Sequence, residues 1–311
     1  MGKVSTFLHL LKTDGRGIYV AAFNNLAHTN LFNKMSDKRF LEIAYKVRMG
    51  KKLDLDNPKT FNEKLQWLKL YDRNPKYTDY VDKYRVRNYV SETIGEEYLI
   101  PLLGVWDHAY DIDFDALPDQ FVLKCNHDSG SVMICKDKKS FDKQKAVDWL
   151  EGRLSKTMFY LTREWPYKNV KPCVVAEMYM EDVATSELRD YKFFCFDGEV
   201  KALFIAEDRQ VEGEDTKFDF FDSDYNHLDF TNGHPNAKRL PEKPINFELM
   251  KELAGKLSAG IPHVRVDFYE CNGKVYFGEM TFAHGSGMVP FEPEKWDRIF
   301  GDWIKLPEKK G

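Results

Sequence analysis

Residues 264–288 read Val-Arg-Val-Asp-Phe-Tyr-Glu-Cys-Asn-Gly-Lys-Val-Tyr-Phe-Gly-Glu-Met-Thr-Phe-Ala-His-Gly-Ser-Gly-Met, and this stretch decides the fold. Val264, Val266 and Phe268 alternate with Arg265, Asp267 and Tyr269, which is the period of a strand. Cys271-Asn272-Gly273 supplies turn chemistry. Val275, Phe277 and Glu279 then alternate with Tyr276, Gly278 and Met280, so the stretch reads as a hairpin. Arg265 and Asp267 share one face of the first strand, and Glu279 and Thr281 share one face of the second. Pairing the strands brings two carboxylates and an arginine into one patch. Carboxylates that close repel unless a cation lies between them. Oxygen ligands that leave room for water suit Mg2+ carried in with phosphates. Alternation alone also describes an exposed hairpin with ordinary surface charges, since one face of an antiparallel sheet is commonly open to water. An open face predicts that Asp267→Asn and Glu279→Gln spare the fold.

Two further hairpins lie upstream. Phe121-Val122-Leu123-Lys124 is a strand that runs into Cys125-Asn126-His127-Asp128-Ser129-Gly130-Ser131 and a second strand, Val132 to Cys135. A tip of small and polar residues lets backbone N–H groups approach phosphate oxygens, and a lysine adds a point charge. Neither a P-loop nor a dinucleotide-binding glycine fingerprint occurs. Leu188 to Leu203 is a hairpin with an Asp197-Gly198 turn, and Lys192 alternates outward from its aromatic face. Between them, Val174 to Asp182 is a strand leading into a hinge, whose apolar side chains and backbone groups suit a flat base such as adenine. Asp222-x-Asp224-x-Asn226 begins like a calcium loop. His227 stands where glycine is needed and Gly233 where glutamate is needed, so it reads as a turn.

The rest of the chain supplies helices. Phe7, Leu8, Leu10 and Leu11 suggest a short one, broken at Asp14-Gly15-Arg16-Gly17, and Ile18 to Phe23 begins a second that is too short to span a bilayer. Ser36-Asp37-Lys38 starts a helix carrying Phe40, Ile43, Ala44 and Val47, ended near Gly50. Thr60 with Glu63 makes a capping box, and Phe61, Leu65 and Leu68 then face the core. Tyr80 to Val90 reads as one helix with a basic face that includes Lys83, ended at Gly95. Leu99 to Trp106 reads as a buried strand. Phe141 to Tyr160 and Phe247 to Leu257 are helical in pattern, and Trp296 to Leu306 closes the chain.

Composition narrows the class. Lys plus Arg is 46 against 50 Asp plus Glu, a net charge of −4, which argues against a general nucleic-acid binder. The five cysteines are scattered and form no Cys-x-x-Cys pair, which fits a reducing cytosol and neither a disulfide framework nor a zinc site. No apolar run approaches membrane-spanning length, so the expectation is no stable insertion, with peripheral association left open. Met-Gly-Lys-Val-Ser-Thr satisfies the loose myristoylation pattern.

The order of these pieces resembles the ATP-grasp superfamily. A lysine strand and loop come first, then a hinge, a second lysine strand, and last the Arg-Val-Asp-Phe and Gly-Glu-x-Thr hairpin. Asn-Pro-x-Thr-Phe-Asn-Glu-Lys at 57–64, Arg-Asp-Tyr-Lys-Phe at 189–193, Arg-Val-Asp-Phe-Tyr at 265–269 and Phe-Gly-Glu-Met-Thr-Phe at 277–282 are similar to its TupA-like branch, and the resemblance spans residues 30–308. It implies an α+β fold of two subdomains gripping ATP. The boundaries expected are a helical N-terminal region (1–75), a small α/β unit (76–120), a small subdomain (121–184) and a large one (185–311).

The resemblance also implies roles. Lys124 and Lys192 match the phosphate-contacting lysines, and Asp-Lys at Lys83 also resembles these enzymes. Asn126, Ser129, Gly130 and Ser131 belong to the loop over the triphosphate. Glu177, Met178, Tyr179 and Met180 match the adenine hinge, with Glu181, Asp182 or Glu187 for the ribose. Asp267 and Glu279 match the Mg2+ ligands. Thr281 stands where asparagine is usual and suits a metal-bound water. Arg265 matches the arginine that steadies an acylphosphate. The implied activity is ATP-dependent ligation of a carboxylate, such as a glycan uronic acid, to a small amine or amino acid, in bacterial surface or capsular polysaccharide assembly. A sugar kinase, a glycosyltransferase and a non-catalytic ATP binder are the alternatives.

Overall fold

The computed structural model describes residues 16–183, 188–207 and 215–309. The helix expected at Phe7 to Leu11 and the ribose candidate Glu187 lie outside the described residues.

The largest sheet has six antiparallel strands in the order β11-β10-β5-β6-β7-β8. They are β5 (Arg189–Phe196), β6 (Glu199–Glu207), β7 (Lys217–Asp222), β8 (His227–Leu228), β10 (Val264–Cys271) and β11 (Lys274–Thr281). A small pair joins β9 (Thr231–Asn232) to β12 (Phe291–Glu292). The two tight hairpin turns carry the backbone their sequences call for. Asp197 and Gly198, and Asn272 and Gly273, all have positive φ, the requirement of a two-residue turn matched to strand twist. The Asp222 segment is a turn, as expected, with the Asp222 carboxylate accepting from the backbone N–H of Asp224 and Asn226.

Both faces of this sheet are apolar over much of their area. Tyr191, Phe193, Leu203, Ile205, Val264, Val266 and Phe268 point to one side, where the helix Phe247–Ser258 covers them with Met250, Leu253, Ala254 and Leu257. Phe194, Phe204 and Phe220 point to the other. Three N-terminal helices, α1 (Arg16–Ala27), α2 (Asp37–Met49) and α3 (Phe61–Tyr71), pack there with the C-terminal helix Lys295–Trp303. The Thr60–Glu63 capping box of α3 forms as expected, and Phe61, Leu65 and Leu68 are buried. Ser36 is the N-cap residue of α2, but its side chain makes no capping bond.

A second sheet has the order β1-β4-β2-β3, from β1 (Leu102–Trp106), β2 (Phe121–Cys125), β3 (Val132–Cys135) and β4 (Val174–Met178). Its core, including Phe121, Leu123 and Val174, is closed by the helix Lys143–Leu154.

Five expectations need correction. Tyr80 to Val90 is two short helices, Lys76–Val81 and Val86–Thr93, because Asp82 accepts from the backbone of Tyr84 and Arg85 and bends the chain between them. The Phe141 to Tyr160 segment likewise splits, into Lys143–Leu154 and Phe159–Thr162. The strand expected at Val174 to Asp182 stops at Met178, and the one at Leu99 to Trp106 is an edge strand that is only partly buried. In β11 the strict alternation fails. Asp267 pairs with Glu279 and Phe268 with Phe277, leaving Gly278 as a bulge residue. Phe277 therefore joins the apolar core, while Glu279 turns to the opposite face beside Asp267.

Candidate functional site

The bulge sets the site. Arg265 lies opposite Thr281, and Asp267 opposite both Glu279 on β11 and Lys192 on β5. Arg265 reaches Asp267 with Nε to Oδ1 and Nη2 to Oδ2, both at 2.7 Å. The same Nη2 lies 3.1 Å from Glu279 Oε1 and 3.0 Å from Thr281 Oγ1. Lys192 Nζ donates to Asp267 Oδ2 at 2.5 Å and lies 3.3 Å from Asp190. Three oxygen acceptors from two strands thus converge on one cationic nitrogen. That set of oxygens, two carboxylates and a hydroxyl, fits a hard cation such as Mg2+.

This face is not open. Asp267 is fully buried and Arg265 nearly so, with His284 of the turn after β11 against the guanidinium, while the Glu279 side chain remains 41% exposed. The expectation that Asp267 sits on an open face is therefore wrong. Lys192 does leave the aromatic face, but into this buried network rather than into water. Burial alone would raise the Asp267 carboxyl. Arg265 and Lys192 more than offset it and bring the group down to about 2. Burial pushes Lys192 and Lys83 down from the ordinary lysine range, against the neighbouring carboxylates.

The loop between β2 and β3 is organised by a residue the sequence reading passed over. Asp128 takes the hydroxyl of Ser131 on one oxygen and Arg153 Nε on the other at 2.7 Å. Lys83 Nζ donates to the Asp128 carbonyl at 2.5 Å, and its backbone N–H to the Asn126 carbonyl. Asn126 spends its side-chain amide on Lys171 and Cys173, while Ser129 and Gly130 stay exposed at the tip. Lys124 donates to Glu177 at 2.5 Å, and Arg87 stands 3.6 Å from the other oxygen of that carboxylate.

At the end of β4, Met178 is half-exposed and its N–H donates to Pro101. Tyr179 and Met180 are partly buried, and Tyr179 bonds Glu181. Asp182 accepts the backbone N–H of Asn272 at 2.7 Å, so it ties this hinge to the tip of the Arg265 hairpin.

Sequence reasoning also missed a polar stripe on α3. Asn62, Gln66 and Lys69, spaced i, i+4 and i+7, share one face. Gln66 Nε2 donates to the carbonyls of Ser286 and Gly287, and Lys69 Nζ to Ser286 at 2.8 Å. Burial lowers Lys69 to about 8 and raises the neighbouring Glu164, each held back by the other's charge. The helical spacing of these three polar residues was visible, but their partner lies more than 200 positions away.

Two antiparallel sheets packed against helices, one bearing Lys124 and a small-residue loop, the other Lys192 and the Arg265–Asp267–Glu279 hairpin, make the arrangement of an ATP-grasp fold. The chain belongs to the TupA-like ATP-grasp family, whose sequence model matches residues 63–305. No curated protein matches it. Among solved structures, D-alanine–D-alanine ligase from Bacillus anthracis is 17% identical at a TM-score of 0.38, over 65% of this chain and 57% of that one. The Helicobacter pylori D-alanine–D-alanine ligase is 14% identical at a TM-score of 0.38, over 80% and 70%. D-cycloserine synthetase DcsG is 14% identical at 0.41, over 72% and 69%. The chain thus spans less than two thirds of the Bacillus anthracis enzyme. No helix among the described residues is long and apolar enough to cross a membrane, and all five cysteines are free and buried.

Proposed function

We propose that the protein is an ATP-dependent carboxylate–amine ligase that joins a uronic acid of a glycan to a small amine or amino acid, in the cytosolic assembly of a surface polysaccharide. The observation that carries this reading is the convergence of Asp267, Glu279 and Thr281 on one cationic point, with Lys192 attached to it. Family membership supports ATP as the co-substrate.

In this reading Lys124 and Lys192 leave their carboxylates for phosphate oxygens. Asp267 and Glu279 would hold Mg2+, with Thr281 beside them. The bound ion neutralises charge on the β- and γ-phosphates. Met178 to Met180 would line the adenine, and Glu181 or Asp182 lies nearest for the ribose. The substrate carboxylate attacks the γ-phosphorus, ADP leaves, and an amine then displaces phosphate from the acylphosphate. Arg265 faces the oxyanion formed in that second step. Its planar fork, already fixed on Asp267, needs no reorganisation when the charge develops.

Arg265→Lys tests this. The ammonium keeps the charge and loses the fork. Losing such a donor costs about 2.7–4 kcal/mol of transition-state stabilisation, two to three decades in rate. The assay supplies ATP, a uronic acid and hydroxylamine. A hydroxamate from the wild type and little from Arg265→Lys supports ligation. Phosphate transfer to a sugar hydroxyl, with no hydroxamate from any uronic acid, replaces the ligase with a kinase.

A further inference from the structure

We infer that His284 is a positioning residue that sets the Arg265 guanidinium, acting as a neutral Nε2–H tautomer locked by Asn232. The inference rests on the reading of Arg265 above and adds what holds it in place.

The tautomer follows from the network. Asn232 is buried, and its Nδ2 lies 3.1 Å from the carbonyl oxygens of both Val289 and Pro290. Two acceptors there fix that atom as the amide nitrogen, leaving Oδ1 as an acceptor. Oδ1 lies 2.9 Å from His284 Nε2, so Nε2 must carry the proton and donate. The other ring nitrogen then keeps its lone pair, and it lies 2.8 Å from Arg265 Nη1, which has only hydrogens to give. An imidazolium would set N–H against N–H at this contact. Arg265, Lys192 and His263 all disfavour a charged ring, Asp267 favours one, and burial together with Arg265 holds the ring well below its ordinary range. Phe194 and Phe204, each with its ring centre 5.2 Å from that of His284, complete an apolar wall.

The consequence is a directed hydrogen. Of the five N–H bonds of Arg265, Nε and Nη2 serve Asp267, Glu279 and Thr281, and one Nη1 hydrogen serves His284. Among the described residues no acceptor takes the second Nη1 hydrogen. By consuming one, His284 aims the other, and that hydrogen is the one left for a ligand oxygen.

The turn bearing His284 is itself held from outside. Gly285, Ser286 and Gly287 are all left-handed, a costly conformation for a serine. Gln66 and Lys69 of α3 bind the Ser286 and Gly287 carbonyls, and a Cβ on Gly287 would sit 2.5 Å from Gln66 Nε2. The α3 stripe therefore fixes the turn, the turn and Asn232 fix His284, and His284 fixes the arginine.

Two measurements test this on the full chain. In the first, long-range proton–nitrogen NMR of histidine-labelled wild type reads the tautomer, with His284 assigned by its loss in His284→Asn. The expected spectrum has an unprotonated Nδ1 and a protonated Nε2, unchanged between about pH 6 and pH 9. A protonated Nδ1, or a ring titrating near about 6.5, overturns the inference. In the second, His284→Leu removes the acceptor, whereas His284→Asn keeps an oxygen close to the position of Nδ1. ATP turnover should fall about 10- to 100-fold in His284→Leu and recover most of that in His284→Asn. The thermal shift given by ATP should be the same in both. If His284→Asn is folded and as slow as His284→Leu, the ring acts by shape and not by its lone pair. If His284→Leu fails to fold, the spectrum and His284→Asn decide. A wild type that turns over no ATP with any carboxylate overturns the ligase reading alone, because the tautomer is read without turnover.

Discussion

The two lysines assigned to phosphate are each tied to a carboxylate on a neighbouring strand at 2.5 Å, and there the likeness ends. Lys192 lies directly across from Asp267, whereas Lys124 faces Val175 and reaches Glu177 diagonally, two residues along β4. Each carboxylate keeps an arginine if its lysine leaves. Asp267 keeps Arg265, bidentate at 2.7 Å, while Glu177 keeps, among the described residues, Arg87 at 3.6 Å. The hairpin side is thus preorganised, and releasing Lys192 to a ligand leaves its carboxylate fully paired. The smaller sheet must rearrange when Lys124 moves. One region is a fixed platform and the other the part that adapts.

The largest effect should come from breaking the platform. Asp267→Asn takes from the buried Arg265 and Lys192 the carboxylate they share and leaves them the longer contacts to Glu279 at 3.1 Å and Asp190 at 3.3 Å. A buried pair broken on one side costs about 3–5 kcal/mol. Urea denaturation should show that loss directly. A midpoint equal to wild type would mean that the site is wetter than its full burial implies, and the contrast with Glu177 would collapse.

Glu177→Gln should cost less. It keeps the shape and an oxygen acceptor for Lys124 but removes the charge from a pair whose side chains are 15% and 8% exposed. We expect a loss of about 1.5 kcal/mol, the low end for a hydrogen bond to a charged group. Released from its carboxylate, Lys124 should also bind ATP at least as well as in wild type. Titration calorimetry checks this, and a loss of affinity would mean that Glu177 orients the lysine rather than restraining it.

What the sequence disclosed follows the range of the interactions. The hairpins were legible because strand period and turn chemistry are local. Asn272-Gly273 and Asp197-Gly198 adopt at low cost the positive φ that a two-residue turn requires, and Arg265 and Asp267 share a face in any strand. The bulge at Gly278 was not legible, since a one-residue slip is defined only against the register of β10. Nor was the burial of the charged face. It depends on α3 reaching the 286–287 carbonyls across 221 positions, and no window of sequence contains both. The break at Asp82 was hidden for the opposite reason. Its apolar spacing suits a helix, and a single side chain competing for backbone N–H groups overrides it. At the site itself, residue types and order pointed to Lys124, Lys192, Arg265, Asp267 and Glu279. Asp128, Arg87, Asn232 and His284 carry no motif and acquire their places only through folding.

The smallest change in stability should accompany the sharpest test of the metal reading. Glu279 is Asp267's cross-strand partner and shares the same Arg265 nitrogen, yet its side chain is 41% exposed. Glu279→Gln retains an oxygen at that position, so the contact to Arg265 survives and only charge is lost. Water screens that charge, and exposed pairs of this kind contribute about 1 kcal/mol or less. The variant should therefore melt close to wild type. A carboxamide is a far weaker ligand for a hard cation than a carboxylate, so turnover of ATP should fall steeply and part of the loss should return at high Mg2+. Asp267→Asn cannot make this separation, because its folding defect and its ligand defect arrive together. If Glu279→Gln turns over ATP like wild type at low Mg2+, the convergence of oxygens on Arg265 is an ion-pair network that braces the sheet and nothing more. If it instead unfolds as readily as Asp267→Asn, then Glu279 belongs to the buried platform, and the division between a fixed hairpin and an adaptable sheet must be drawn elsewhere.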